Sequence, residues 1–302
     1  MFGKRPDGIR IKKVDPFMKI IPYIMKTRVD SQVFFEDSVD INNISNYIRK
    51  IKDEKEINLS YMTVITCALG RTLIERPQIN RFVRNCRLYQ RKNVEICFAI
   101  KKQLTDEGEE TTLKLPIYES DTIFDIHKRM SDMIEKNKQA EVKNFINRIA
   151  NLIMSFPNWI IKMFIGLITW FDDNEIMPKS LIKVSPFHAS AFVTNVGSLG
   201  IHSIYHHIYE FGTISIFLAM GRKYEKMTSD GPKKHITLKL VTDERICDGK
   251  YYASSFNLLM KYIKNPELME ISYNEMKKIE EEKSTVADNV MDNNIHMYNE
   301  WS

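Results

Sequence analysis

The run FGTISIFLAMGR, Phe211 to Arg222, is apolar at successive positions, a pattern that a strand tolerates when both of its faces are buried. It predicts a central strand in a sheet covered on two sides. The next segment, KHITLKLVT, alternates Ile236, Leu238 and Leu240 and predicts a neighbouring strand with one face in the core. Upstream, QVFFEDSVDI (32–41) reads as a strand feeding a helix, ISNYIRKIKDEKEIN, whose Ile44, Tyr47, Ile48 and Ile51 follow a helical period. Leu59 to Glu75 predicts a largely buried helix, with Ser60 as N-cap and Pro77 just past its end. NVEICFAIKK and ETTLKLPIY predict two strands. TIFDIHKRMSDMIEKNKQ predicts a helix with Ile123, Ile126, Met130, Met133 and Ile134 on one face, and SAFVTNVGSLG a strand ending in a glycine turn. Helices and strands interleave, so the expected class is α/β with a mixed sheet in two layers.

With 302 residues, 43% of them hydrophobic, the chain can bury a sizeable core. No repeat or Pro/Gly-rich linker divides it, so one domain is expected over 1–279, with a polar, acidic, flexible tail over 280–302. The 44 basic and 39 acidic side chains give a net charge of +5 spread along the whole sequence, which argues against a nucleic-acid footprint. Cys67, Cys86, Cys97 and Cys247 form no CxxC pair and read as reduced core thiols; no metal site is expected. The start, MFGKRPDGIRIKK, is basic without the apolar stretch of a secretory signal, so a cytoplasmic location is expected.

Phe145 to Phe171 is the most apolar segment, with only Arg148 and Lys162 charged. Pro157 and Asn158 divide it into pieces shorter than the ~20 residues that a spanning helix needs, so a continuous span is not expected. Three readings stay open: a buried core hairpin, a surface packed on another subunit, or a peripheral lipid contact.

VTDERICDG (241–249) gathers Asp243, Glu244, Arg245 and Asp248 where a strand meets a helix, at the sheet end where α/β folds commonly place sites. The bland alternative is an Asp248–Arg245 pair that fixes the turn while Glu244 faces water. VTNVGSLG (193–200), then GTISIFLAMGR, then DERICDG resemble in order the catalytic cores of the dihydrolipoyl acyltransferases of 2-oxo-acid dehydrogenase complexes, structural relatives of chloramphenicol acetyltransferase. VDINNISNYIRK, EINLSYMTVITCALGRTLIERPQIN and NVEICFAIKK extend the likeness over roughly Val33 to Leu268. A stretch at about 139–185 has no evident counterpart and reads as an apolar insertion.

The resemblance implies a CoA-dependent acyltransferase fold, a coenzyme A thioester as acyl donor, a small-molecule acceptor, and a homotrimer with its site between subunits. It places the family's general-base histidine at Glu244, its turn aspartate at Asp248 beside Gly249, and its oxyanion-stabilising hydroxyl at Thr194. Asn195, Gly197 and Arg245 support the turns, and Arg222 and Lys223 could meet a phosphate of the nucleotide thioester. No lipoyl-bearing segment resembles this sequence, so an ordinary complex subunit is not expected.

Histidine suits a base near neutrality, whereas an ordinary glutamate at about 4.3 lies some four units below a thiol near about 8.5, a mismatch of roughly 5–6 kcal/mol. Glu244 is therefore either a base tuned by burial or a salt-bridge member in a dead site, its outcome depending on whether Arg245 turns toward it. The second alternative makes the chain a catalytically inactive relative, a ligand-binding or scaffolding homotrimer. His188 shares strand parity with Thr194 if the strand is continuous, but six residues at about 3.3 Å set the two roughly 20 Å apart. Of the adjacent His206 and His207, at most one can face a cleft; a surface or core role is expected for both.

Overall fold

The computed structural model describes residues 5–101, 110–139 and 154–283. The two-sided apolar run becomes the first half of the central strand of a six-stranded sheet. Its strands are β2 (Gln32–Asp40), β5 (Val94–Lys101), β6 (Glu110–Ile117), β7 (Ala191–Asn195), β8 (Ile216–Thr228) and β9 (Gly231–Asp243). The spatial order is β2-β9-β8-β7-β5-β6. β7 is parallel to β5 and β8, and the other pairs are antiparallel, so the sheet is mixed as expected.

Successive β8 residues feed two cores. Ile216, Leu218 and Met220 join Val193, Leu238 and Leu240 in the large cluster under the helices, while Phe217 joins Phe192, Cys97 and Val241 on the opposite face. The helical layer contains α2 (Asn42–Lys55), α3 (Tyr61–Glu75), α4 (Ile123–Gln139) and α7 (Gly249–Lys264). In α3, Ser60 Oγ accepts Thr63 N–H at 3.0 Å, the predicted cap, and a Cβ on Gly70 would overlap Ile117 of β6. The helix meets the sheet that closely because this position has no side chain. On the other face, the irregular segment 201–214 covers the second core, with the His206 ring stacked on Phe217 at 3.9 Å.

β8 continues beyond Arg222 to Thr228 and pairs with the start of β9, past an irregularity between Met220 and Lys223. Only its first half lies in the core, which is why the apolar pattern stops where the strand does not.

Three features lay outside the periodicity reading. A second sheet has the order β1-β4-β3, formed by β1 (Gly8–Arg10), β3 (Arg81–Arg84) and β4 (Arg87–Arg91). Strands this short and arginine-rich carry too little alternation to recognise. Helix α1 (Pro16–Ile24) precedes β2, and within the expected insertion lie α5 (Asn158–Asp173) and α6 (Lys179–Val184).

The buried-hairpin reading of the apolar segment fails for its described part. Trp159, Met163, Phe164 and Trp170 of α5 are about half exposed or more, and Asp172 is the helix's buried residue. Residues 145–153 lie outside the described residues, as does the tail beyond 283. Among the described residues no helix is long and apolar enough to cross a membrane. Cys67, Cys97 and Cys247 are buried, but Cys86 is half-buried in the β3–β4 turn and departs from the expected core position.

Asp172 anchors α5 to the body. Its carboxylate meets Arg5 Nη2 at 2.6 Å, Arg84 Nε at 3.2 Å and His188 Nε2 at 3.4 Å. Burial alone would raise its pKa, but the facing His188 ring and the charges of Arg5 and Arg84 outweigh burial and hold it well below the usual carboxylate range.

Candidate functional site: two strand ends of one sheet

β9 ends at Asp243, a short helical turn carries Glu244 to Ile246, and Asp248 caps α7. The crowding of charge in DERICDG divides into three tasks. Asp243 is fully buried; its Oδ1 accepts Arg245 N at 3.1 Å and Nε at 2.8 Å, and its Oδ2 accepts Nη2 at 2.8 Å. Ser31 Oγ donates to Oδ1 at 3.1 Å. Burial disfavours this carboxylate, yet Arg245 foremost, then Arg28, keep it below its ordinary pKa.

Arg245 therefore turns inward onto Asp243, and neither the Asp248 pairing of the bland alternative nor a turn toward Glu244 forms. The reason is reach: the turn brings the guanidinium back over residue 243, where two parallel bonds in a buried setting outcompete a solvated carboxylate. Asp248 instead accepts Tyr251 N–H at 2.9 Å as an N-cap. Gly249 opens the helix, and a Cβ there would meet nothing within 4 Å, so no close approach requires a glycine at this position. Glu244 is left exposed at the strand end, held through its backbone N–H to Ser31 O at 2.8 Å.

Because Asp248 acts as a cap, Asp248→Ala is expected to lower stability by about 1 kcal/mol. Urea unfolding measures it; an unchanged midpoint would dismiss the capping role.

The other half of the expected site is built at the end of β7. Asn195 Oδ1 accepts Ser198 N–H at 3.1 Å and shapes the turn 196–199, while Gly200 ends it at φ +78°. A Cβ on Gly197 would overlap Gly221 O, so the turn packs backbone to backbone on β8. Thr194 is half-buried and shares parity with Phe192, which sets it on the face away from the helices. Its register row runs through Ala219 and Lys239 to Glu36. Lys239 Nζ lies 3.4 Å from Glu36, and Tyr205 OH donates to the same carboxylate oxygen at 3.1 Å.

One chain does not bring Thr194 and Glu244 together. Thr194 is level with Lys239 of β9, and Glu244 lies five residues further along, about 16 Å at ~3.3 Å per residue. Two strand spacings add about 10 Å across the sheet, for a separation of roughly 19 Å. Thr194 lies near the end of β7 in the middle of the sheet, whereas Glu244 follows the end of β9.

The cations offered to a phosphate are engaged. Arg222 Nη2 lies 3.0 Å from His202 Nε2, and Lys223 Nζ sits 3.9 Å over the Tyr61 ring. His188 is not on a strand, because β7 starts at Ala191; it is fully buried, with Nδ1 2.8 Å from Ser185 Oγ and Nε2 facing Asp172. Ser185 Oγ also accepts Phe187 N–H, so this Ser-His-Asp succession works as a strut for α5. His206 is half-buried against Phe217 and His207 is exposed. Glu210 is occupied by Arg28 N–H at 2.8 Å.

Sequence reasoning gave no role to Asp243 within DERICDG, and missed Ser31 and Arg28 entirely. Arg28 is buried, donates to the carbonyls of Val83, Gly212 and Ile214, and has its pKa pushed by burial down to about 10. The consecutive Asp-Glu-Arg was the only available signal.

No protein-family model matches this chain, and no curated protein matches its sequence. Its fold does match solved structures. A probable dihydrolipoamide acetyltransferase from Listeria monocytogenes superposes with a TM-score of 0.54 at 15% identity, covering 85% of this chain and 94% of that one. The fold is that of the chloramphenicol acetyltransferase-like acyltransferase cores. The cubic core of the pyruvate dehydrogenase multienzyme complex matches with a TM-score of 0.54 at 15% identity, over 86% of this chain and 93% of that one. A chloramphenicol acetyltransferase matches with a TM-score of 0.53 at 9% identity, over 85% and 99%. At such identities the fold is what is shared.

Proposed function

We propose that the protein transfers an acyl group from a CoA-type thioester to a small-molecule acceptor, in a site completed between two copies of the chain in a homotrimer. The observation that carries this reading is the way the DERICDG turn is built. The Asp243–Arg245 pair, the Ser31 contacts and the Asp248 cap hold a frame from which the Glu244 carboxylate is presented outward. The Thr194 turn is an equally defined second half at the end of β7, roughly 19 Å away, so a neighbouring copy has to supply whichever half is missing.

In this reading Glu244 takes the proton of the attacking thiol or hydroxyl as that atom bonds to the acyl carbon. The Thr194 hydroxyl donates to the carbonyl oxygen as it becomes negative, and the thiolate of the donor leaves. Glu244 is exposed in the single chain, so the desolvation that a carboxylate base requires has to come from the neighbouring copy.

Turnover against a panel of thioesters tests the reading. Glu244→Gln and Thr194→Ala are each expected to lower the rate at least ~100-fold. Mixing the two variants in one oligomer is expected to restore roughly a quarter of the sites, because a head-to-tail interface takes one half from each chain. Equal rates for the wild type and Glu244→Gln, or a mixed oligomer as inactive as its parents, would overturn it.

The engagement of Arg222 with His202 and of Lys223 with Tyr61 favours the second reading, a non-catalytic binding relative of the same fold. Stoichiometric thioester binding by calorimetry with no turnover would select it.

A further inference from the structure

Two helices of this protein, both in contact with the β3–β4 turn, expose apolar side chains. On α1, Phe17, Ile20 and Ile24 fall at helical spacing and are 66%, 52% and 66% exposed, while Pro22 is buried on the inner side. On α5, Trp159, Met163, Phe164, Leu167 and Trp170 are between 46% and 66% exposed. The β3–β4 turn lies between the helices: Cys86 Sγ donates to Pro22 O of α1 at 3.4 Å, and Asn85 Nδ2 donates to Asp173 O of α5 at 3.3 Å.

Beside α1 and under the same turn is a cleft of about 300 Å³. Its charged lining is Arg10, Lys12, Lys19 and Arg87, and no Asp or Glu lines it. Arg87 shares Glu175 with the Tyr89 hydroxyl, at 3.4 and 2.7 Å, and the nearby Asp15 is committed to Phe17 N–H. Among the described residues lining the cleft, the other three cations have no carboxylate to offset them.

An apolar surface flanked by uncompensated cations fits an interface that is apolar in depth and anionic at its rim. We propose that this side of the protein docks on the surface of an anionic phospholipid bilayer, with α1 and α5 lying in the interfacial plane and Arg10, Lys12 and Lys19 on headgroup phosphates. The tryptophans toward the two ends of α5 have the ring chemistry that favours the headgroup level. At 16 residues α5 is about 24 Å long, short of the ~30 Å hydrocarbon core, so it fits along a membrane and not through one. A second copy is a poorer occupant: a self-complementary contact through this face would set like-charged clusters against each other. This inference is independent of the acyl-transfer reading.

Co-sedimentation of the full chain with phosphatidylcholine vesicles, with and without phosphatidylglycerol, tests it, with tryptophan emission as a second readout. Partitioning at least about tenfold stronger on the anionic vesicles is expected, with a blue shift on binding. Lys12→Glu with Lys19→Glu is expected to remove that preference, and Phe17→Ser with Trp159→Ser to abolish binding, both without a lower unfolding temperature. Absent binding, equal binding to both vesicles, or a Phe17→Ser, Trp159→Ser variant that turns an oligomer into monomers would overturn the proposal, the last by making this face a subunit contact.

Discussion

Asp243→Asn is expected to destabilise the fold by about 3–5 kcal/mol, the scale for removing one partner of a buried ion pair. The substitution leaves two guanidiniums without their shared anion. Arg245, which donates to Asp243 through two side-chain nitrogens, loses its partner, and Arg28 keeps only backbone carbonyls and Glu210 against its burial. For a domain of this size the melting temperature should fall on the order of 10 °C. The pH dependence has a definite sign. The folded-state pKa of Asp243 is lowered, so its contribution is complete above the unfolded value of about 3.9 and is lost as pH falls through the folded value. The gap between wild type and variant should be full at neutral pH and close in acid. Denaturant melts across that range measure it, and a gap that does not change with pH would show that the carboxylate charge is not what matters.

Asp172→Asn is expected to loosen α5 before it unfolds the sheet. Arg5 keeps Asp7 at 2.7 Å and Arg84 keeps Asp173 at 2.6 Å, so the loss concentrates on the attachment of the helix and on His188. A local cost near 3 kcal/mol makes the detached state roughly a hundredfold more populated. Limited proteolysis at Lys162 should quicken by that factor while the core amides exchange at wild-type rates. Unchanged cleavage would remove Asp172 as the tether. This carboxyl is also held low, so acid should release α5 in the wild type only as pH falls well below the ordinary carboxylate range.

Periodicity was enough for the large sheet and its helices, because burial on one or two faces imposes periods of two or three and a half that survive in the residues themselves. It was not enough for β1, β3 and β4, two of whose arginines, Arg84 and Arg91, are buried against Asp172 and Asp7, far away in sequence, nor for the exposure of α5, whose composition reads like a core. The DERICDG run showed where charge gathers but not how it divides. Asp243 and Arg245 attract each other at a spacing that no regular strand or helix allows, and only the turn that follows β9 makes the contact.

The amino-acid sequence alone determined an α/β chain with a mixed sheet, and the order of motifs that its fold shares with acyltransferase cores. Only the tertiary structure decided that Glu244 is the exposed acid at the start of its turn and that Thr194 stands roughly 19 Å from it at the end of another strand. The same is true of the apolar helices, which face outward. The physical reason is that side-chain periods report local burial, whereas partners and distances between segments depend on strand order and register, which no local period encodes.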